Sequence, residues 1–463
     1  MDLAERLSDY ALGLSYSDLG AGTVLEAKKR IIDALGCAIG AYGAVPVEAA
    51  RSYASHVTAS GGSTLLGTRR KTTPDVATFV NGLMIRYFDF NDTYLSKEPA
   101  HPSDNLSATL SVAEAEGGSG KDLILATVLA YEIQCRLCDA ADIRHRGWDH
   151  VCYGLVSSSL AAGKLMGLER RQLTEAVNIA LNSHIAMRQV RAGELSMWKG
   201  ASFSNAARNA VFSAMLAREG MSGPSPIFEG EMGFFKQVSG PFELDVRSFG
   251  RAKKGFKLDE TYIKYYPAEY HAQTAVWASL ALRKKVPDPE EIESVEILTH
   301  EAGYTILGKD PEKWRPTTKE TADHSLPYMV GVALLDGRLD NASYEESKMR
   351  SKRVLGFLER ISVKEDKGLT SLYPKRGMGN RVTIRTRHGR TLTEEVIVPR
   401  GHPLNPMAKG EVESKFNGLV RPYIAERRAR GLLTTIWALD SLKSVMELLP
   451  LLEIVGRRPG KSP

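Results

Sequence analysis

Through about residue 245 the chain keeps to a single period, and that period is helical. Apolar residues recur three to four positions apart: Ile31, Ile32, Leu35 and Ile39 within residues 27–43, then Leu123, Leu125, Val128, Leu129 and Ile133 within 121–139. Residues 155–166 and 172–184 follow the same rule. Their apolar faces are rich in Ala, Gly and Ser, which lets helix axes approach closely. The expected product is a large bundle buried on several sides. In this half only residues 63–66 read as a short strand.

The texture changes after Pro241. Residues 268–282 are still helical, but 292–299 alternate as Ile-Glu-Ser-Val-Glu-Ile-Leu-Thr, the pattern of a half-buried strand. Residues 360–363, 381–387 and 390–398 are also predicted strands, the last two joined as a hairpin across His388-Gly389. Residues 344–358 read as one charged, exposed helix. The helical period returns from Ala408 through 416–428 and 434–449, and the tail 456–463 reads as disordered. The expected fold class is mainly α with an α+β lid. A large all-helical domain (residues 1–265 and 404–463) is interrupted by a smaller α+β domain (266–403). A chain of 463 residues exceeds the size at which a single core keeps growing.

Composition then narrows the function classes. Hydrophobic residues make up 43% and charged residues 25%, an ordinary globular mixture. The 61 Lys and Arg exceed the 55 Asp and Glu by a formal +6, spread thinly along the chain. No basic stretch is interleaved with aromatics, so no nucleic-acid partner is expected. A local cationic pocket for a small anion fits the excess better. No run approaches the roughly 20 apolar residues of a membrane span, so no membrane partner is expected either. The four cysteines (Cys37, Cys135, Cys138, Cys152) are too few to staple the chain. The first residues, Met1-Asp-Leu-Ala-Glu-Arg-Leu-Ser-Asp, start a charged amphipathic helix rather than a secretory signal. Reduced thiols and a cytoplasmic location are the expectation.

Five stretches place ionisable and turn-forming residues where a bundle would prefer apolar ones. The first runs from Asp89-Phe-Asn-Asp-Thr93 to His101-Pro-Ser-Asp-Asn105. A helix ends near Arg86, and Ser103 or Asp104 can cap the next one from Leu106. The plain alternative is a capped connection with buried Asp hydrogen bonds. The functional one is carboxylate binding at a helix N-terminus. The second, Gly147-Trp-Asp-His150-Val-Cys-Tyr-Gly154, also precedes a helix, where a lone His is ordinarily a satisfied half-buried residue. The third, from Arg188 and Arg191 to Lys199-Gly200, is either a solvated basic loop or a clamp for carboxylates. The fourth, Lys264-Tyr-Tyr-Pro-Ala-Glu-Tyr-His271-Ala-Gln273, lies at the boundary between the two textures, where clefts form. The fifth, Glu320-Thr-Ala-Asp-His324-Ser-Leu-Pro-Tyr328, sets His and Tyr beside a helix start.

Cofactor signals are weak. Cys135-Arg-Leu-Cys138 has the spacing of an iron–sulfur motif but lies in a strongly helical apolar stretch, the setting of core thiols. No two His residues are spaced i, i+3 or i, i+4. There is no Gly-x-Gly-x-x-Gly after a strand, no Walker loop and no Gly-x-Ser-x-Gly elbow. Neither metal nor cofactor is expected.

At these stretches the chain resembles the MmgE/PrpD family, from Asp33-Ala-Leu-Gly-Cys-Ala-Ile-Gly40 and Asn81-Gly82 through to the small domain. His101-Pro-Ser-Asp-Asn105, Gly193-Glu-Leu-Ser-Met-Trp-Lys-Gly200, Pro267-Ala-Glu-Tyr-His-Ala-Gln273 and residues 320–328 look most like the branch that dehydrates 2-methylcitrate. The resemblance implies a cofactor-independent homodimer with its active site between a helical domain and a lid. Carried over residue by residue, it implies a site of Asp89, Thr93, His101, His150, Lys199, Lys264 and Tyr328. Decarboxylase relatives carry a His two residues after the proline where this chain has Glu269, with its own His at His271. That departure, and Asn91 in place of an Asp, favour the dehydratase branch. Citrate dehydration, cis-aconitate decarboxylation, epimerisation and non-catalytic polycarboxylate binding are the alternatives.

The implied elimination removes a proton beside a carboxylate and expels hydroxide from the neighbouring carbon. A neutral imidazole suits the first step near pH 7, and a protonated group must assist the second. His101 and His150 are the expected acid/base pair, with Asp89 orienting, Tyr328 donating from the lid and Lys199 and Lys264 as catalytic cations. Thr93, Ser103, Arg188, Arg191, Glu269 and His271 are expected to bind the tricarboxylate.

Overall fold

The computed structural model describes residues 1–455 apart from Ser60, Glu194, Ala252, Lys253 and Lys375. The predicted tail, 456–463, lies outside the described residues.

The helical half is built as its period requires. Helices Ala21–Gly40, Pro74–Arg86, Leu106–Ala115, Gly120–Ala140, Val151–Leu165, Arg170–Ser183 and Trp198–Arg218 pack side by side. Small residues set their spacing. A Cβ on Gly154 would sit 2.5 Å from the Phe203 ring, and one on Gly36 would sit 3.1 Å from Phe416. Between real atoms the first distance is a clash, so Gly154 is what lets Val151–Leu165 meet Trp198–Arg218. All four cysteines are buried and free inside this body. Burial pushes the Cys135 and Cys138 thiols well above their usual range, as for core packing groups. Among the described residues no single helix is long and apolar enough to cross a membrane.

Two apolar cores divide the chain. One draws on residues 3–263 and again on 407–452; the other draws only on residues 268–384. The fold class is mainly α with an α+β domain. A two-stranded ribbon, β1 (Ser63–Thr64) with β2 (Lys71–Thr72), sits in the body. The second core is covered by a four-stranded sheet in the order β4-β3-β5-β6, with β3 Ile292–Thr299, β4 Ile361–Glu365, β5 Asn380–Thr386 and β6 Thr391–Val396. β3 runs parallel to β4 and antiparallel to β5, with Val295 opposite both Ile361 and Ile384. The β5–β6 hairpin closes where Gly389 takes φ +78°, a left-handed value that Gly adopts without strain. Helices Gln273–Lys285 and Leu326–Asp336 pack on the buried face of the sheet.

Three predicted helices are broken in fact. Residues 344–358 form two short helices, Glu346–Met349 and Lys352–Leu358, because Glu345 and Ser351 are extended and Tyr344, Met349 and Val354 turn inward. Residues 416–428 divide at Pro422 into Lys409–Val420 and Glu426–Trp437, and beyond Trp437 only single 3-10 turns follow. The Leu106 helix has no side-chain cap; a 3-10 turn, Pro102–Asn105, runs straight into it.

Candidate active site

A cavity of about 560 Å³ opens between body and lid, and all five marked stretches of sequence meet on it. Among the described residues six cationic side chains line it (Arg86, Arg144, Arg188, Arg191, Lys199, Lys264), against three carboxylates (Asp89, Glu269, Glu301). Several lining residues stand at helix starts: His150 is the cap position of Val151–Leu165, and Lys199 is in the first turn of Trp198–Arg218. The positive ends of those helices add to the field for an anion.

Asp89 is the hub. Just past the end of Pro74–Arg86 it takes φ +51°, a left-handed conformation that costs about 1–3 kcal/mol for a non-Gly residue. Its neighbours hold it there. Lys264 donates to its backbone carbonyl at 2.8 Å and to Oδ1 at 2.7 Å, and Arg86 donates to Oδ1 at 2.5 Å. Lys199 reaches Oδ2 at 3.5 Å. Burial would raise the Asp89 carboxyl, but Arg86, Lys264, Lys199 and His324 overcome that and hold it well below the carboxylate range.

His101 has a fixed tautomer. Its Nδ1 lies 2.8 Å from the backbone carbonyl of Asp92, which can only accept, so the proton sits on Nδ1 and Nε2 is bare. That Nε2 is 4.0 Å from Asp89 Oδ1. Burial, then Arg86 and Lys264, push the imidazole well below its ordinary value, so it is neutral at pH 7. The ring of His150 is 5.9 Å away. Its Nε2 accepts from Arg191 at 3.2 Å, and burial lowers its pKa to about 3. Arg191 also pairs with Asp149 at 3.3 Å, whereas Arg188 has no ion pair among the described residues.

From the lid come two groups. His324 Nδ1 lies 2.6 Å from Asp323 Oδ1 and 3.1 Å from the Lys199 ammonium, and its Nε2 lies 3.6 Å from Asp89 Oδ2. Glu269 accepts from His271 Nδ1 at 2.8 Å, and His271 Nε2 lies 3.3 Å from the hydroxyl of Tyr373. Burial would raise Glu269, but His271 brings it down to about 2. Tyr373 is pushed up to about 12, mainly by burial.

Ten of the twelve named candidates, among them Thr93, line this cavity. Thr93 arrives with its hydroxyl already donating to the Ala100 carbonyl at 3.1 Å. Tyr328 and Ser103 stand elsewhere, which corrects the expectation for both. Tyr328 is buried in the lid core, where its hydroxyl donates to the Ser343 carbonyl at 2.5 Å. The pitch of Leu326–Asp336 turns it inward with Met329 and Val332. Ser103 sits beneath the floor, its amide donating to Asp92 and its hydroxyl accepting from Asn91. Sequence reasoning missed Arg86, His324 and Tyr373 as site residues. His324 stood in a marked stretch, but Arg86 looked like a helix end and Tyr373 carries no local signal.

Asp89, Asp323 and His324 bring three metal-type donor atoms within 4.8 Å of one another. Lys199 and Lys319, at 3.2 and 2.9 Å, already meet the Asp323 carboxylate, so protein ammonium groups supply the positive charge there.

Burial of neutral imidazoles also sets an acid sensitivity. His300, stacked on Tyr373 in the lid, is lowered to about 3, chiefly by burial, against about 6.5 when unfolded. Between those values the unfolded chain binds a proton that the folded chain does not, so this residue costs stability as pH falls. Asp104 and Glu98, both raised to about 7 by burial, act in the opposite sense. The difference between variants isolates the imidazole. His300→Asn should gain roughly 2 kcal/mol on wild type between pH 7 and pH 5 in denaturant titrations.

Fold and cavity together are those of an enzyme. The chain belongs to the MmgE/PrpD family: residues 5–247 match the MmgE/PrpD N-terminal domain and residues 266–441 the C-terminal domain. It is 34% identical over 361 residues to the 2-methylcitrate dehydratase of Escherichia coli K12, covering 73% of each chain. It is 31% identical to that of Cupriavidus necator over 87% of this chain and 85% of the relative. A 2-methylcitrate dehydratase-like protein of Aspergillus oryzae is 32% identical over 92% and 90%.

Proposed function

We propose that the protein is a hydro-lyase that dehydrates 2-methylcitrate to 2-methyl-aconitate by acid/base elimination. The observation that carries this reading is a neutral imidazole, His101, with a bare Nε2 on a cavity of excess positive charge. Such a site binds a polycarboxylate and removes a proton beside one of its carboxylates. Arg188, Arg191 and Arg144 hold carboxylates at the rim, and Lys199 and Lys264 offset the charge that builds as the C–H bond breaks. His150, braced by Arg191, stands as partner to His101. The leaving hydroxide takes the proton of the Tyr373 hydroxyl, which His271 holds in place through Nε2; solvent then returns a proton to the tyrosinate and removes the one taken up by His101. Nothing in this scheme calls on a metal or cofactor. A homodimer and a cytoplasmic location accompany the reading.

The test is a panel of 2-methylcitrate, citrate and cis-aconitate given to the purified protein, with conjugated-alkene absorbance and carbon dioxide recorded together. Alkene from 2-methylcitrate without carbon dioxide is the expected result. Carbon dioxide from cis-aconitate with no alkene from either hydroxy acid would replace dehydration by decarboxylation. Tyr328→Phe should leave kcat within about threefold of wild type and cost about 1–3 kcal/mol, since it strands a buried carbonyl in the lid core. A hundredfold fall in kcat would return Tyr328 to the site.

A further inference from the structure

Behind the cavity a second buried ion pair joins three separated parts of the body. Asp33 lies on Ala21–Gly40, within the segment Asp33-Ala-Leu-Gly-Cys-Ala-Ile-Gly40 that no part of the proposed chemistry uses. Lys415 lies on Lys409–Val420 and meets Asp33 at 2.6 Å; both side chains are at most 5% exposed. The Lys415 ammonium makes two further bonds, to the backbone carbonyl of Phe90 at 2.7 Å and to that of Lys264 at 2.8 Å. Phe90 follows Asp89, and its ring lies 3.8 Å from the same ammonium. Lys415 therefore grips the main chain at Lys264 and at the residue that follows Asp89, while the Asp89 and Lys264 side chains are bonded to each other on the cavity side.

We propose that Lys415, anchored by Asp33, is a positioning residue for the reaction. It fixes the main chain of Asp89 and Lys264 so that the strained Asp89 carboxylate stays aligned with His101 and His324. The inference rests on the proposed dehydratase activity. Asp89 reaches two imidazoles at only 4.0 and 3.6 Å, so a small shift of its backbone changes both contacts.

The test uses three variants of the full chain, assayed once the wild type has been shown to turn over 2-methylcitrate. Wild type without turnover would remove the dehydratase reading and leave the variants to be compared with whatever substrate the panel returns. Lys415→Met removes the donor but strands a buried carboxylate. Asp33→Asn/Lys415→Met removes both charges and so keeps a folded protein while still lacking the two carbonyl bonds. Asp33→Asn alone keeps the ammonium and both of those bonds. The double variant should lose at least thirtyfold in kcat with KM within threefold, and Asp33→Asn should stay within fivefold of wild type. Added to Asp89→Asn, the double variant should cost less than threefold more, because its effect runs through Asp89. A folded double variant with wild-type kcat, or a full thirtyfold loss on top of Asp89→Asn, would overturn the proposal and leave Lys415 a stabilising pair only.

Discussion

His101→Ala lowers kcat on 2-methylcitrate by about 10³-fold, roughly 4 kcal/mol of barrier, and leaves KM within a few-fold. The size follows from what is lost: a base with one bare nitrogen, a tautomer set by the Asp92 carbonyl, and a pKa held low enough to be neutral at pH 7. His150 cannot replace it directly, because it gives its Nε2 to Arg191. The wild-type pH profile should carry the same signature. Neutral His101 is the active form, so kcat/KM falls only as pH drops below the ordinary imidazole range. In His101→Ala the residual rate should lose that acid limb and recover in part with added imidazole. Retention of more than a tenth of wild-type kcat would move the base elsewhere.

The second large effect is on stability. Arg86 is buried at 3% exposure between two carboxylates, Asp89 at 2.5 Å and Asp104 at 3.8 Å. Arg86→Met leaves both without their shared cation, and breaking one side of a buried ionic cluster costs about 3–5 kcal/mol. Asp104, already raised to about 7, relieves part of this by taking a proton. The variant should therefore be more stable at pH 5.5 than at pH 8, relative to wild type. Arg86→Lys should not restore it, because one ammonium cannot span two carboxylates as the guanidinium fork does. Denaturant midpoints at the two pH values measure both effects. Equal losses at both would mean that Asp104 does not titrate in response.

Much of this was legible in the sequence, and what was not has physical causes. The helices of the body and the strands of the lid follow from periodicity because burial of one face enforces it, as in β3, where the predicted residues 292–299 are those of the strand. The helix predicted at 344–358 failed because its inward residues are spaced for two short helices, which only the lid core decides. In the site, motifs carried His101, His150, Lys199 and Lys264 because each sits beside a helix start or a proline. Tyr328 went the wrong way by a matter of helix pitch, which a motif does not record. Tyr373 lies between β4 and β5 and joins the cavity through tertiary packing alone.

The split of the body around the lid has a consequence for how the chain is made. Lys28 pairs with Asp440, 412 residues further on, and Phe416 closes on Gly36. A nascent chain released in order from its first residue can complete the lid's own core, at residue 384, well before the body's last helices emerge. Until then the face of Ala21–Gly40 that will receive Phe416 is bare, and the Asp33 carboxylate waits without its ammonium. The closure spans nearly the whole sequence, which makes it a slow, late event. Every residue that lines the cavity has by then been made, and what these later helices add is the packing behind it.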